Sequence, residues 1–175
     1  GAGSPPAFEA AGGGTILQVK TIEVEDTHSN SASAPAAITA FNIAFTPTSS
    51  SSKLCLQLSM SCSCNNERLA GYFYDSTGSA IIGPIADAAS NRARYTFGSP
   101  ELGPHVCSIV NCTVWFTPGD TTARTIQVFA AAQATTTLYI NRTYTDTDDA
   151  TLNNSRSGAS TFTITEYDGD TVTIS

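Results

Sequence analysis

The stretch that decides the fold is Ser160-Thr161-Phe162-Thr163-Ile164-Thr165-Glu166-Tyr167. Its phenylalanine and isoleucine fall on one side of an extended chain, and its three threonines fall on the other side. A repeat of two is typical of a β-strand with one buried and one solvated face. Threonine suits the solvated face because its branched Cβ fits the pleat. The stretch therefore predicts a sheet with a hydroxyl-coated exterior.

The same alternation appears elsewhere, most clearly in segments 39–45, 53–63 and 105–116. Turn signals such as Asp75-Ser76-Thr77-Gly78-Ser79 separate the segments. Counting gives about eight strands at intervals of roughly 8–15 residues, a spacing typical of antiparallel sandwiches. We predict an all-β fold, an antiparallel two-sheet sandwich of jelly-roll type. Residues 15–175 would form this domain, preceded by residues 1–14 as a flexible N-terminal arm rich in proline and glycine.

Three segments carry more detailed local predictions. In segment 15–27 the apolar phase changes between Val19 and Ile22, which predicts a bulge or bend near Lys20-Thr21. Segments 124–132 and 136–141 are predicted to pair as a hairpin. The only helix candidate is the alanine-rich segment 85–94.

The composition excludes several classes of function. Charged residues make up 13% of the chain, about half of the usual share of roughly 25%, while 25 Thr and 20 Ser supply the polarity. The net charge of −7 with only eight Lys and Arg argues against nucleic-acid binding, which needs a basic surface. No run of about 20 apolar residues is present, so no membrane insertion is expected.

Several segments together resemble a family of small β-rich domains in the surface proteins of tailed-bacteriophage virions, which includes tail-fibre-like and head-decoration proteins. The resemblance covers roughly residues 15–167. It implies a jelly-roll-like sandwich that is trimeric, exposed on the particle and without catalytic residues. The five cysteines depart from the usual members. The segments that carry the resemblance are Ile16-Leu17-Gln18-Val19, Thr48 to Leu54, Tyr139-Ile140-Asn141-Arg142, the aspartates Asp146, Asp148 and Asp149, and Ser160 to Tyr167.

The cysteines leave alternatives open. Zinc is disfavoured because no C-x2-C spacing occurs. One or two disulfides could join the two predicted strands that carry Cys62, Cys64, Cys107 and Cys112. Reduced, packed thiols are the other alternative, since a free cysteine behaves as a small hydrophobe and disulfides are rare in a reducing cytoplasm. The odd count leaves at least one thiol unpaired within the chain.

Two acidic clusters are weak calcium candidates, Asp146, Asp148 and Asp149 in one loop and Asp168-Gly169-Asp170 in another. Carboxylates two residues apart can supply oxygen ligands to Ca²⁺. Aspartates that cap backbone N–H groups in a solvated turn give the same pattern. The acceptor triplets for N-glycosylation that begin at Asn111, Asn141 and Asn153 arise by chance in a chain so rich in Ser and Thr, and they would matter only in a secreted eukaryotic protein.

A catalytic site is not indicated. A Ser-His-Asp set needs a positioned base, and nothing in the sequence singles out His28 or His105. No pair of carboxylates is singled out for glycoside cleavage among Glu67, Asp75, Glu101 and Asp120. The aromatic residues suit a core, a subunit interface or stacking against a sugar; they are Tyr72, Phe73, Tyr74, Tyr95, Phe97, Trp115, Tyr139 and Tyr144.

These observations lead to one functional expectation. The chain would be a non-enzymatic virion structural protein, a self-associating homotrimer that decorates or cements a capsid after assembly in the host cytoplasm. Its partners would be copies of itself and the major capsid or other virion proteins, with no cofactor. A receptor-binding tip of a tail or head fibre is one alternative. A soluble carbohydrate-binding module, which would recognise a host surface glycan, is an alternative of another class.

Overall fold

The computed structural model describes residues 15–87, 94–133, 136–145, 158–172 and 174. Strands dominate this part of the chain, which contains no α-helix and one 3-10 turn, at Thr39–Phe41. The strands are β1 (Ile16–Val24), β2 (His28–Asn30), β3 (Ala36–Ala37), β4 (Ile43–Phe45), β5 (Lys53–Ser63), β6 (Leu69–Asp75), β7 (Ala80–Ile82), β8 (Phe97–Gly98), β9 (Ser108–Phe116), β10 (Arg124–Ala132), β11 (Leu138–Ile140) and β12 (Ser160–Tyr167).

The strands form two antiparallel sheets. In the first sheet β1, β12, β5 and β9 lie side by side, and the short β11 and β2 continue beyond the end of β12. In the second sheet β10 and β6 are central, with β3 and β4 along the outer edge of β10 and β7 and β8 along the outer edge of β6.

This order is that of a jelly roll. The pairs β3/β4 and β7/β8 can each be counted as one interrupted strand, and the short β2 and β11 as extensions of β1 and β12. The two sheets then hold eight main strands in all, four in each. Numbered in chain order, the first sheet reads 1-8-3-6 and the second reads 2-7-4-5, so the chain crosses repeatedly between sheets. Two Greek keys folded together produce this alternation. The predicted all-β, antiparallel two-sheet fold is confirmed.

The core lies between the two sheets. Phe73 of the second sheet stacks on Phe162 of the first, with ring centroids 5.5 Å apart, and both side chains are fully buried. Nine apolar residues on the inward side of the alternating segments were expected in the core, and eight of them are buried. The exception is Phe116, which is half-buried at the end of β9. The eight are Phe41, Phe45, Leu56, Leu58, Val114, Val128, Phe162 and Ile164.

The predicted bulge near Lys20-Thr21 is wrong. The β1–β12 register is regular from Gln18 to Val24, and the shift lies between Ile16 and Gln18. The apolar phase changes because Leu17 and Val19, which are 40% and 53% exposed, stay at the surface, whereas Val24 is buried. Apolar residues on an edge strand therefore need not mark its core face.

The predicted hairpin is also wrong. Strand β10 lies in the second sheet and β11 in the first, so the chain crosses between sheets after Ala132. Both strands bury apolar side chains, and period two alone does not say which sheet a strand joins. Most of the helix candidate 85–94 lies outside the described residues, and its residues 85–87 are irregular. The arm 1–14 also lies outside them and stays a prediction.

The first and last strands of the sandwich are neighbours. Ile16 is aligned with Tyr167, and the Asp168 amide donates to the Thr15 carbonyl at 2.9 Å. The start of β1 and the end of β12 therefore lie at the same corner of the first sheet.

Candidate functional site

The outer face of the second sheet carries aromatic side chains at its centre. Tyr72 and Tyr74 alternate with the buried Phe73 on β6, and Phe129 follows the buried Val128 on β10. Because side chains alternate along a strand, these three rings point away from the core. We call this surface the aromatic face and define it by Asn42, Tyr72, Tyr74, Ile81, Thr125, Gln127 and Phe129.

The three rings form one cluster. Phe129 stacks on Tyr72 with centroids 5.4 Å apart and meets Tyr74 at 4.8 Å. All three are half-buried, and burial together with the nearby Tyr74 raises the pKa of Tyr72. No residue of the aromatic face is ionic at neutral pH, although the chain carries a net charge of −7. The fold thus presents an uncharged aromatic surface on an acidic protein.

The outer face of the first sheet is chemically different. Across its centre, Thr163 is aligned with Gln57 and Gln57 with Thr113, while one step along Ser59 is aligned with Asn111. These short polar side chains leave a shallow hollow of about 310 Å³. We call it the hydroxyl hollow; it is lined by Gln57, Leu58, Ser59, Asn111, Cys112, Thr113, Thr161 and Thr163.

An aromatic pair stands beside the hydroxyl hollow. Trp115 and Tyr167 meet with ring centroids 5.3 Å apart and a tilt of 42°. Cys55 on β5 lies between Trp115 and Thr165 and is aligned with both. Cys55 and Thr165 are only 5% and 7% exposed although they lie on the outer face. Trp115 itself remains 37% exposed, so part of its indole is open to solvent.

The structure contains all five cysteines as thiols. The strands that carry them are neighbours, as predicted, but the register aligns Cys62 with Ser108 and Cys112 with Leu58. No cysteine on either strand therefore lies directly across from another. A disulfide among Cys62, Cys64, Cys107 and Cys112 stays a prediction, and the described residues contain no group of three or more His, Cys, Asp or Glu placed to hold a metal.

Cys62 is expected to resist alkylation in the folded protein. Its side chain is fully buried, and burial, followed by the neighbouring Cys107 and Cys64, raises its pKa to about 12. At pH 8 only about one molecule in 10⁴ would hold a thiolate, the reactive form. Iodoacetamide labelling followed by peptide mass spectrometry should leave Cys62 unmodified in buffer and modified in urea. A Cys62 disulfide peptide in a non-reducing digest would contradict this.

Two of the carboxylates considered above as catalytic candidates, Asp75 and Asp120, form ion pairs with Arg124. Asp75 Oδ2 accepts from Arg124 Nη1 at 2.7 Å, and Asp120 binds the other terminal nitrogen of the same guanidinium. The Asp75 and Arg124 side chains are 4% and 6% exposed. The second oxygen of Asp75 accepts the backbone amides of Thr77 and Gly78. These contacts stabilise a turn. Both carboxylates line a hollow of about 250 Å³, but each is held in an ion pair with Arg124 and so is not placed as a free general acid or base would be.

The remaining catalytic candidates are dispersed. His105 is exposed, and its Nδ1 lies 2.6 Å from the hydroxyl of Thr145, while His28 is half-buried on β2. Glu67 forms an isolated bridge with Leu102, the neighbour of Glu101 in the chain; Glu67 is half-buried and Glu101 exposed.

The calcium candidates Asp146, Asp148 and Asp149 lie outside the described residues, as does Asn153. In the second acidic cluster, Asp168 caps its own turn by accepting the Asp170 amide at 3.1 Å. Asn141 is fully buried, so a glycan could not be attached there in the folded protein, whereas Asn111 is exposed beside the hydroxyl hollow.

Buried polar groups hold the loops around the sheets. Glu166 is fully buried and accepts from Gln18 Nε2 at 2.5 Å and from the amide and hydroxyl of Thr48 at 2.7 and 2.8 Å. Burial raises the pKa of the Glu166 carboxyl, but these donors and the nearby Ser52 hydroxyl outweigh it, so the pKa lies below its usual value. The carboxylate thus anchors the loop between β4 and β5.

The fold defines the class of this molecule as an antiparallel jelly-roll sandwich. No protein-family model and no curated protein matches the chain. Among solved structures it aligns with capsid protein VP2 of infectious bursal disease virus in a subviral particle, at 11% identity and a TM-score of 0.43, over 86% of this chain and 40% of that one. The structure of the Gx strain of the same virus aligns at 12% identity and a TM-score of 0.41, over 95% of this chain and 45% of that one.

A mutant VP2 of the same virus, in T=1 particles, aligns at 12% identity and a TM-score of 0.40, over 86% of this chain and 39% of that one. These three structures come from one virus, and the chain spans about two fifths to one half of the length of the chains it matches in them. At this identity and TM-score the likeness carries no argument about function. In the described part of the chain no helix has the length and apolarity needed to cross a membrane.

Sequence reasoning named the tyrosines and Trp115 but missed the surfaces to which they belong. Phe129 and Ile81 escaped attention because each adjoins a buried apolar residue in an almost continuous apolar run. Gln57 and Asn111 are polar residues at outward positions of two alternating strands. Only the pairing of β5 with β9 brings them close together.

Proposed function

We propose that this chain is a non-enzymatic structural protein of a tailed-phage virion, a self-associating homotrimer that decorates or cements the capsid surface. The jelly-roll fold alone does not select this role, because it serves capsid proteins and lectins alike. The observation that carries the proposal is the uncharged aromatic face. The sequence resemblance to phage surface proteins is the reason for proposing a phage particle as the location and a trimer as the oligomer.

The aromatic face has the composition of a protein interface. Tyrosine and phenylalanine are enriched in such interfaces, and charged residues are depleted from their centres. Two copies that each carry a net charge of −7 repel one another, and they approach most easily where no charge is present. Burying the exposed parts of Tyr72, Tyr74, Ile81 and Phe129 would favour association through the hydrophobic effect. Closed rotational symmetry then limits growth to a defined oligomer.

Residues 1–14 complete the proposal as a tether to neighbouring shell subunits. The alternative role, a receptor-binding fibre tip, would use the same self-association and differ in its place on the particle. The length of the open reading frame separates them, because a frame of several hundred codons favours a fibre. Labelling of virions with antibody to this domain would show its position directly.

A single charge in the aromatic face is expected to disperse the oligomer. Gln127→Glu keeps the side-chain size but places an unpaired carboxylate next to Tyr74, and burying such a charge is unfavourable. We expect light scattering to show the dissociation constant rise at least tenfold, or about 1.4 kcal/mol. Gln57→Glu, on the outer face of the other sheet, is the matched control and should leave the oligomer intact.

The same proteins should be mixed with empty capsids of the parent virus and sedimented. Wild type and Gln57→Glu are expected to co-sediment, whereas Gln127→Glu should bind more weakly because fewer contacts per particle remain. A wild-type protein that stays monomeric at about 100 μM and binds no particle would overturn the proposal, as would equal effects of the two substitutions.

A further inference from the structure

The hydroxyl hollow has the chemistry of a site for an uncharged sugar. Its polar lining consists of two amides, Gln57 and Asn111, and four hydroxyls. Amides and hydroxyls both donate and accept hydrogen bonds, as the hydroxyls of a sugar do. Within the described residues, Thr163 is bonded to Thr21 at 3.0 Å, while the side chains of Gln57, Ser59 and Asn111 bond to no other residue. Gln57, Ser59 and Asn111 can therefore bind a ligand without breaking a hydrogen bond within the protein.

The exposed indole of Trp115 supplies a second component. Trp115 follows Thr113 by two positions on β9, so it stands on the same face, roughly 7 Å along the strand. The face of an aromatic ring is electron-rich, and the C–H groups on one side of a pyranose pack against such a face. Tyr167 fixes the orientation of the indole from the other side. A ring stacked on Trp115 would direct its hydroxyls towards Gln57 and Thr113.

The charge distribution selects a neutral ligand. None of the eight lining residues is Asp, Glu, Lys or Arg. Of the charged outward positions of this sheet, the acidic Glu23 is aligned with Thr161 at the edge of the hollow, and Lys53 is aligned with Tyr167. A sialylated or sulfated glycan would find no cation in the hollow. A volume of about 310 Å³ is at the lower end of the range for small-molecule sites, which suits a short segment of a glycan.

We propose that the hydroxyl hollow binds a short segment of a neutral oligosaccharide, with Trp115 stacking on one sugar ring and Gln57, Asn111 and Thr113 bonding its hydroxyls. The occupant is a glycan rather than a second copy of the chain because the surface is concave and the side chains of Gln57, Ser59 and Asn111 bond to no other described residue. This inference does not depend on self-association, since the two surfaces lie on opposite sheets.

The test uses the full chain and a panel of immobilised malto-, cello-, manno- and chito-oligosaccharides, with sialylated and sulfated glycans for comparison. Binding to at least one neutral series is expected, and titration calorimetry with the soluble form of that oligosaccharide then gives the affinity. Trp115→Ala should weaken it at least tenfold. Asn111→Ala, which removes an exposed side chain, should weaken it about fivefold through the loss of one hydrogen bond.

Ile109→Ala is the matched control, because Ile109 lies on the same strand and face, is 65% exposed and does not line the hollow. It should bind as wild type does. Thermal unfolding of each variant separates lost binding from lost folding, and Asn111→Ala should unfold at the wild-type temperature. The proposal is overturned if no neutral oligosaccharide binds at about 10 mM, if only acidic glycans bind, or if Asn111→Ala and Ile109→Ala bind equally well. Because Gln127→Glu should bind sugar normally, failure here is distinct from failure of the self-association proposal.

Discussion

Asn141→Ala is expected to lower the free energy of unfolding by about 3 kcal/mol or more, because it removes several buried hydrogen bonds at once. The side chain is fully buried. Its Nδ2 donates to the carbonyls of Val24 at 2.6 Å and Asp26 at 3.0 Å, and its Oδ1 accepts from the Ser160 hydroxyl at 2.6 Å. Truncation would leave two carbonyls and a hydroxyl without this partner in the interior.

The backbone of Asn141 adds to the expected loss. Its φ of 61° lies in the left-handed region, which asparagine tolerates better than alanine does. Asn141→Gly removes the same hydrogen bonds but relieves the backbone, so it should be about 1 kcal/mol less destabilising than Asn141→Ala. Urea denaturation followed by circular dichroism measures both. The exposed Asn111→Ala is the control, and a loss as small as that of Asn111→Ala would show that the buried contacts contribute little.

Arg124→Met is expected to cost about 3–5 kcal/mol, the usual range for removing one partner of a buried ion pair. The substitution leaves Asp75 buried and charged, held only by the amides of Thr77 and Gly78. It also removes the guanidinium that lies 5.7 Å from the ring centroid of Phe116. Urea denaturation at neutral pH gives the change, with the slope checked for a two-state transition.

Two further variants locate the source of this loss. Arg124→Met combined with Asp75→Asn should regain a large part of the stability, because the amide stays an acceptor for the turn and no longer needs a cation. Asp120→Ala removes the exposed partner of the same guanidinium and should cost much less than Arg124→Met. If Asp120→Ala were as damaging, or the double variant regained nothing, burial of the Asp75 charge would not explain the effect.

The alternation of apolar residues was sufficient to predict the long strands and most of the core. In strands β5, β9 and β12 the alternating apolar side chains are the ones that face the core, so Leu56, Val114 and Ile164 were placed correctly. The pattern did not predict the pairing of short strands or the points where the chain crosses from one sheet to the other, as it does between β10 and β11. It also failed in β1, because exposed apolar side chains on an edge strand imitate a core face.

The candidate surfaces depend on information that one strand does not contain. Phe129 joins Tyr72 and Tyr74 only through the β6–β10 register, and Gln57 meets Asn111 only across the β5–β9 pair. The importance of Asn141 and Arg124 was equally hidden, since a polar residue in the sequence does not reveal that it will be buried. Such contacts join residues far apart in the chain, and single-sequence patterns report only local order.

The pairing of β1 with β12 has a practical consequence for engineering. Thr15 and Asp168 are joined by a backbone hydrogen bond, so a short glycine-rich linker could close this gap and allow circular permutation of the domain. A reporter fused at either position would project from the same corner. Two dyes attached there would stay in close proximity while the sandwich is folded and separate when β1 detaches, providing an optical signal for opening of that edge.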